Sequence, residues 1–229
     1  DFTNYGTIQE ISKFNEFLGN IREKYGYKYV VVISGNHEVC LDPYYYSQEN
    51  RHILLSNVTH FLHNSFVIID GVKIYGSPYN DKTGAFGMSN LEPVWSIIPD
   101  DTDILLTHIP PFNILDLAWD TKSDTSGFCS ECRRVHKQFS HWGCKKLTSH
   151  VINRVKPKVH IFGHVHDCYG VQTTSDTIFI NAATKWSPMR DPIVFDYPVS
   201  QQYYDQRKQS GVAFDKVISV NNGNIDSDN

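Results

Sequence analysis

Three short apolar segments of this chain each end in residues that can ligate a metal, and this repeated pattern constrains the fold more than any other feature. The segments are 29–33 (YVVVI), 103–107 (DILLT) and 159–162 (VHIF). Continuously apolar, β-branched runs of this length are typical of strands buried in a parallel or mixed sheet. The polar residues that follow them are Ser34 to Glu38 (SGNHE), His108, and Gly163 to His166 (GHVH).

These polar residues are expected to meet in the folded chain, because open α/β sheets place their binding sites at the carboxyl ends of the strands. A turn after Gly163 would aim His164 and His166 at two adjacent metals, whereas an extended backbone would direct them to opposite faces. Imidazole, carboxylate and amide ligands suit Mn, Fe or Zn better than Ca or Mg. The sequence therefore predicts a transition-metal site at one edge of a sheet.

The remaining patterns predict an α/β fold with mixed sheets. Thr7 and Glu10 form a capping box, and apolar residues recur at helical spacing until Gly26. Asp70-Gly71 is a favoured hairpin turn between segments 61–69 and 72–75. A second helix is expected over 144–155, ending before Pro157. Further strands are expected at 169–173, 177–180 and 193–195.

Composition narrows the class of protein. The 229 residues, 40% of them hydrophobic, suffice for one globular domain, and no apolar run approaches the length of a membrane span. A net charge of −4 argues against a stable nucleic-acid complex held by a basic face. Five cysteines, an odd number, favour reduced thiols in a reducing compartment, so a cytoplasmic location is expected.

Residues 112–143 are polar and irregular, and we expect a long loop that could act as a lid. Within it Cys129, Cys132, His136 and His141 form the pattern CxxCxxxHxxxxH, which suggests a structural zinc site. The gap between the second cysteine and the first histidine is much shorter than the roughly 12–15 residues of the usual zinc finger. A flexible lid with incidental cysteines is therefore the favoured interpretation.

Taken in order, the motifs resemble those of the calcineurin-like metallophosphoesterase superfamily: DxH, GD, GNH followed by Asp or Glu, GH, and GHxH. Asp1 matches the Asp of GD, Gly35 to Glu38 match GNHE, and His108 matches the fourth motif with Thr in place of Gly. Gly163 to His166 match the last motif. The segments DFTNYG, YGSPY, PDDTDILLTHIPP, VKPKVHIFGHVH and INAAT look like the small subfamily that includes brain-expressed cyclic-nucleotide phosphodiesterase homologues.

This resemblance implies a four-layer αββα sandwich and a site that binds two divalent or trivalent metal ions, Mn, Fe or Zn. Asp1 would bridge the two ions. One ion would be completed by Asn36, His108 and His164, and the other would use His166. The resemblance also implies that His37 is the general acid or transition-state stabiliser and that Glu38 orients it. The expected substrate is a small phosphate ester such as a cyclic nucleotide, with no membrane partner; the oligomeric state is left open.

One part of the family pattern has no match. The DxH motif should precede Asp1, and with it the first strand of the sheet, so we expect a fragment of a longer chain that carries one complete and one half-built metal site. The expected domain spans 1–197, followed by a peripheral extension over 198–229. The alternative is a catalytically weak module that keeps the fold and one metal and binds phospho-ligands or other proteins.

Overall fold

The computed structural model describes residues 1–44, 53–81, 84–122, 127–185 and 190–199. The chain divides into two compact units, residues 1–192 and residues 193–229. Of the second unit only residues 193–199 are described, and they have no regular secondary structure. The predicted extension over 198–229 therefore lies outside the described residues except for its first two.

The strands of the described residues are, in chain order, β1 (Val31–Val32), β2 (His60–Phe61), β3 (Ser65–Ile69), β4 (Val72–Ser77), β5 (Ile104–Thr107), β6 (Leu117–Trp119), β7 (Phe139–His141), β8 (Val159–Phe162), β9 (Gly170–Thr173) and β10 (Ile178–Asn181). The helices are α1 (Ile8–Tyr25), α2 (Glu92–Ser96) and α3 (Lys145–His150), the last continued by a π-helical turn over Val151–Val155. Short 3-10 turns cover Val39–Leu41 and His166–Cys168.

Six strands form one mixed sheet in the order β3-β4-β5-β8-β10-β9. The four central strands β4, β5, β8 and β10 are parallel, and β3 and β9 run antiparallel at the two edges. Parallel strands bring their carboxyl ends to one edge of the sheet. The predicted α/β class with mixed sheets is confirmed.

Two smaller sheets complete the described strands. β1 pairs with β2 in parallel, and β6 pairs with β7 antiparallel. The sequence did not predict the second pair, and the expectation of an irregular segment over 112–143 is wrong there. Strands of three residues, separated by a long polar stretch, are too short to show an alternating pattern.

Several local predictions are confirmed. Thr7 caps α1 with the complete capping box, and Gly26 ends this helix with φ 70°. The β3–β4 hairpin turns at Asp70 and Gly71, with Ile69 paired to Val72. The predicted strand at 193–195 is wrong: these residues have no regular structure, and three apolar residues without a pairing strand among the described residues cannot form a ladder.

The main core lies where α2 and α3 pack against the six-stranded sheet. Its fully buried members include Trp95 and Ile98 from the α2 region, Leu105 from β5, Leu147 from α3 and Phe179 from β10. A second buried cluster forms around Ile11 of α1, together with Leu41, Leu55, Ala85 and Phe86. None of the helices in the described ranges is long and apolar enough to span a bilayer.

Candidate metal centre

The first residues of the chain are tied to the loop that follows β1 by one buried carboxylate. Glu38 is fully buried, and its Oε1 accepts hydrogen bonds from the backbone amides of Phe2 (2.9 Å) and Thr3 (3.0 Å). Its Oε2 accepts a hydrogen bond from the backbone amide of Gly35. The amide of His37 donates to Asp1 Oδ1 at 3.0 Å. These bonds hold the Asp1 carboxylate beside the loop that carries Asn36.

Two glycines permit this close approach. A Cβ on Gly35 would lie 2.2 Å from Asp1 Oδ1 and 2.5 Å from Cε1 of His108. Gly6 has φ +66°, and a Cβ there would lie 2.4 Å from the carbonyl oxygen of His37. No real Cβ contact is that short, so both positions require glycine.

The donors expected at the strand ends meet at the carboxyl edge of the six-stranded sheet. Oδ1 of Asn36 lies 2.8 Å from Nε2 of His108 and 3.1 Å from Nδ1 of His164. Nε2 of His108 lies 3.5 Å from Asp1 Oδ2. One ligand atom from each of Asp1, His108 and His164 falls within 4.8 Å of the other two. Four of the five predicted ligands therefore share one location.

The predicted turn after Gly163 is present. His164 has φ 66°, in the left-handed region that few residues other than glycine adopt. The amide of Val165 donates to the carbonyl of Gly163 at 2.7 Å, and the Val165 side chain is buried. This strained turn separates the two histidines. His164 points to Asn36, and His166 begins a 3-10 turn that also lines the cleft.

His37 lies at the cleft, but Glu38 does not hold its ring. Nδ1 of His37 donates to the carbonyl oxygen of Asn4 at 2.6 Å, which leaves Nε2 as the nitrogen that can exchange a proton. The described hydrogen bonds of Glu38 go to Phe2, Thr3 and Gly35 instead. Glu38 therefore positions the backbone on either side of the centre, whereas Asn4 fixes the imidazole.

The electrostatics of the site favour neutral imidazoles, the form that binds metals. Burial lowers the pKa of His108 well below its ordinary value, and the neighbouring histidines lower it further. Burial and the nearby Lys185 ammonium lower the pKa of His166. A neutral imidazole offers a lone pair, so these directions suit metal ligation.

The centre opens into a cleft of about 1170 Å³. Its lining includes all the predicted site residues except Asn36 and Glu38, and it adds Lys13 of α1 and Lys185 after β10. Sequence reasoning missed both lysines, because an isolated lysine carries no pattern. It also missed Trp142, whose ring packs against His164 with centroids 5.6 Å apart.

The donor set fits a transition metal. Two imidazoles, one carboxylate and one amide oxygen converge from four separate segments, and imidazole ligation favours Mn, Fe or Zn over Ca or Mg. Gly35 has no Cβ, and a Cβ at this position would push Asp1 and His108 apart. The residues that could hold the ion are Asp1, Asn36, His108 and His164.

The structure brings together a second group of metal-ligand side chains. One ligand atom from each of Cys129, Cys132, His136 and His141 lies within 4.8 Å of the other three. The sequence favours incidental cysteines in a flexible lid because the gap between Cys132 and His136 is short. The folded chain nevertheless brings the four side chains together, because His141 lies in β7 and the two cysteines lie in the turn that precedes this strand.

Comparison with known proteins identifies the family of the chain. A family model for calcineurin-like phosphoesterases matches residues 1–168. Human metallophosphoesterase domain-containing protein 1 is 34% identical over 226 residues, covering 86% of this chain and 63% of that protein. The UPF0046 protein C25E10.12 of Caenorhabditis elegans is 36% identical over 219 residues, covering 87% and 71%.

The chain thus spans just under two thirds of the length of the human relative. A solved crystal structure superposes with a TM-score of 0.50 at 17% identity, covering 77% of this chain and 63% of that one, which bears on the fold alone. The family match covers all the strand ends that carry the predicted metal ligands. The chain belongs to the calcineurin-like phosphoesterase family.

Proposed function

We propose that this chain hydrolyses phosphate esters by means of metal ions held at the centre of Asp1, Asn36, His108 and His164. The observation that carries the proposal is the convergence of these side chains at one sheet edge, although Asp1 and His164 stand 163 residues apart in sequence. Membership of the phosphoesterase family supports the same chemistry. The substrates we propose are small phosphodiesters, with 2′,3′- or 3′,5′-cyclic nucleotides as the first candidates.

Two metal ions are proposed for the complete protein, with Asp1 shared between them and His166 serving the second. When bound, such a pair polarises phosphoryl oxygens and lowers the pKa of water for in-line attack. The Asp1 carboxylate is suited to a bridging position because its oxygens face different groups. Oδ1 accepts from the amide of His37, and Oδ2 lies 3.5 Å from Nε2 of His108.

His37 is the residue we propose as the proton donor to the leaving alkoxide. Its Nδ1 proton is committed to the Asn4 carbonyl, so Nε2 is the nitrogen that can carry a second, transferable proton. The ring lines the cleft beside Asp1. Proton transfer by a positioned side chain contributes a factor of about 10²–10⁴ to the rate.

The cleft is suited to a small anionic substrate. Lys13 and Lys185 line it together with His37 and His166, so the cleft offers two cationic side chains to a phosphate, alongside the acidic Glu10. Its volume of about 1170 Å³ lies slightly above the roughly 300–1,000 Å³ typical of small-molecule pockets, so a small phosphodiester has room to bind. The chain as a whole carries a net charge of −4, which disfavours a long polyanion.

The proposal is tested by comparing His37→Ala with the parent chain on bis-p-nitrophenyl phosphate and 2′,3′-cyclic AMP, after loading with Mn²⁺. We expect kcat on 2′,3′-cyclic AMP, whose leaving alkoxide needs a proton, to fall by about 10²–10⁴-fold, and kcat on the aryl diester, whose nitrophenolate leaves without one, to fall less, with the metal content unchanged. The matched control is His60→Ala. The His60 ring in β2 bonds to Thr59 Oγ1 at 3.0 Å and does not line the cleft, so this variant should keep the parent rate.

Two results would count against the proposal. If His37→Ala retains the parent rate on both substrates, His37 has no part in proton transfer. If the metal-loaded parent binds phosphate but hydrolyses neither substrate, the alternative of a one-metal ligand-binding module gains support. A parent that is active on the aryl diester alone would retain the phosphoesterase proposal and exclude cyclic nucleotides.

A further inference from the structure

We infer that Cys129, Cys132, His136 and His141 form a second metal site, separate from the catalytic centre, that binds one structural zinc ion in tetrahedral Cys₂His₂ coordination. Two thiolates and two imidazoles are the ligand set of structural zinc sites. At the usual Zn–S and Zn–N bond lengths, a tetrahedron separates its ligand atoms by about 3.3–3.8 Å. Cys132 Sγ already lies 3.4 Å from Nε2 of His136, and all four ligand atoms fall within 4.8 Å of one another.

His141 is the clearest indication of a bound cation. Its Nδ1 donates to the carboxylate of Asp116, at 2.8 Å to Oδ1, and the side chain is only 6% exposed. Its Nε2 is buried and has no hydrogen-bond partner among the described residues. A buried nitrogen without a partner is costly unless something ligates it. A metal ion bound in the cluster would ligate this nitrogen.

Asp116 is built into the fold as a support for this histidine. It is 2% exposed, and its Oδ2 accepts hydrogen bonds from the backbone amides of Asn113 (3.0 Å) and Gly143 (3.1 Å). A metal-ligating histidine usually donates its second ring proton to a carboxylate or a carbonyl, which fixes its tautomer and raises its basicity. The Asp116–His141 pair has this arrangement.

His136 shows the same arrangement with a different acceptor. Its Nδ1 donates to the carbonyl oxygen of Phe139 at 3.0 Å, so its Nε2 carries the lone pair and faces Cys132. His136 therefore presents Nε2 towards Cys132, and both histidines hold a proton on Nδ1, the nitrogen that faces an acceptor. Two independent backbone or carboxylate acceptors impose this tautomer.

The turn that carries Cys129 and Cys132 is also held by hydrogen bonds in a geometry that suits metal binding. The amide of Arg133 donates to the carbonyl of Cys129 at 2.8 Å, and the amide of Cys129 donates to the carbonyl of Arg134 at 2.9 Å. Arg133, directly after Cys132, has φ 60°, the left-handed conformation that reverses the chain in a tight turn. The backbone amide of Cys132 is placed to donate a hydrogen bond to the Cys129 sulfur. Amide hydrogen bonds to a sulfur stabilise a metal-bound thiolate.

The position of this site indicates what the ion would do. His141 ends β7, and the next residue, Trp142, packs against His164 of the catalytic centre. The amide of Trp142 donates to the carbonyl of Asp116 at 2.9 Å. A zinc ion would therefore anchor β7 and the residue after it, Trp142, which packs against His164.

The test uses cobalt(II) as a spectroscopic substitute for zinc in the full chain. We expect a thiolate-to-cobalt charge-transfer band in the near ultraviolet, together with the intense visible bands of tetrahedral cobalt. Cys129→Ser/Cys132→Ser should abolish the charge-transfer band and reduce bound zinc by one equivalent per chain. The matched control is Cys40→Ser, which removes a thiol outside the cluster and should leave both unchanged.

A catalytic-centre variant separates this site from the proposed function. His164→Asn should keep the charge-transfer band and the cluster zinc even if the chain proves to hydrolyse nothing. The inference is overturned if the parent chain gives no thiolate-to-cobalt band, or if the band and zinc content persist in Cys129→Ser/Cys132→Ser. If that double variant fails to fold, the band of the parent chain decides alone.

Discussion

The side-chain oxygen of Asn36 lies 2.8 Å from Nε2 of His108, although 72 residues separate them in sequence. The same oxygen lies 3.1 Å from Nδ1 of His164. One amide oxygen thus faces the residues that follow β5 and β8, two adjacent parallel strands of the sheet. This contact joins the loop after β1 to the carboxyl edge of the main sheet and defines the centre of the site.

Replacing Asn36 with Ala removes an oxygen donor from the centre without disturbing a core residue. We expect the affinity for Mn²⁺ to fall by at least ~10–100-fold, the range seen when even supporting groups of metal sites are lost. Isothermal titration calorimetry measures the change. Asn153→Ala, an exposed asparagine in the π-helical turn after α3, is the control and should bind Mn²⁺ as the parent does. Equal affinity in the two variants would remove Asn36 from the ligand set.

The sequence predicted the parts of the site that depend on local signals. The apolar runs before His108 and Gly163 specify strands, and the parallel pairing of these strands then brings His108 and His164 together. The capping box of Thr7 and the Asp70-Gly71 turn are equally local. All of these signals lie within a few residues of the structure they specify.

The parts that were missed depend on contacts between distant segments. Asp116 and His141 lie 25 residues apart and meet only because β6 pairs with β7. Lys185 lines the cleft and Trp142 packs against His164, each from beyond the end of a separate strand, and neither has a sequence pattern around it. Spacing rules cannot find such residues, because the chain between them sets no fixed distance.

Gly35→Ala should lower the free energy of unfolding of the metal-free protein. The added Cβ would lie 2.2 Å from Asp1 Oδ1 and 2.5 Å from Cε1 of His108, so both side chains must move. Such overpacking costs about 1–3 kcal/mol. Urea titration in the presence of a chelator measures it. Gly163→Ala is the matched control, because no atom lies within 4 Å of its added Cβ, and its stability should stay close to that of the parent. Equal loss in both variants would contradict the close packing at Gly35.

Glu38→Gln tests the buried carboxylate that ties the first residues to the loop after β1. The amide keeps one acceptor oxygen but places an N–H group against a backbone N–H, either that of Gly35 or those of Phe2 and Thr3. We expect a loss of about 1–3 kcal/mol in unfolding free energy, and roughly 2–4 °C in Tm for each kcal/mol. Differential scanning calorimetry measures this. Glu16→Gln, on the exposed side of α1, should leave Tm unchanged.

His160 gives the fold a stability that depends on pH. Its ring is fully buried against Phe162 and Phe179, and burial lowers its pKa to about 3. The Thr107 hydroxyl donates to the Ile109 carbonyl, so Nε2–H of His160 donates to Thr107 at 2.8 Å and the ring is neutral. The unfolded chain has the higher pKa, so it binds the extra proton as the pH falls.

The contribution of His160 to stability is therefore complete above about pH 6.5 and is lost at about 1.4 kcal/mol per pH unit between about 6.5 and 3. His160→Gln keeps a donor for Thr107 and cannot titrate. Urea titrations at several pH values should show that the parent loses stability on acidification faster than this variant. Parallel curves for the two proteins would show that His160 does not titrate with folding.

The most direct test of the central claim is the metal dependence of phosphodiester hydrolysis by the parent chain and by His164→Asn. Asparagine tolerates the left-handed φ of 66° at this position, so the variant removes an imidazole without adding backbone strain. After chelation, Mn²⁺ should restore hydrolysis of bis-p-nitrophenyl phosphate by the parent chain, whereas His164→Asn should stay at least ~10–100-fold slower at the same Mn²⁺ concentration. Full activity of the chelated parent, or equal recovery of the variant, would contradict a catalytic metal held by this centre.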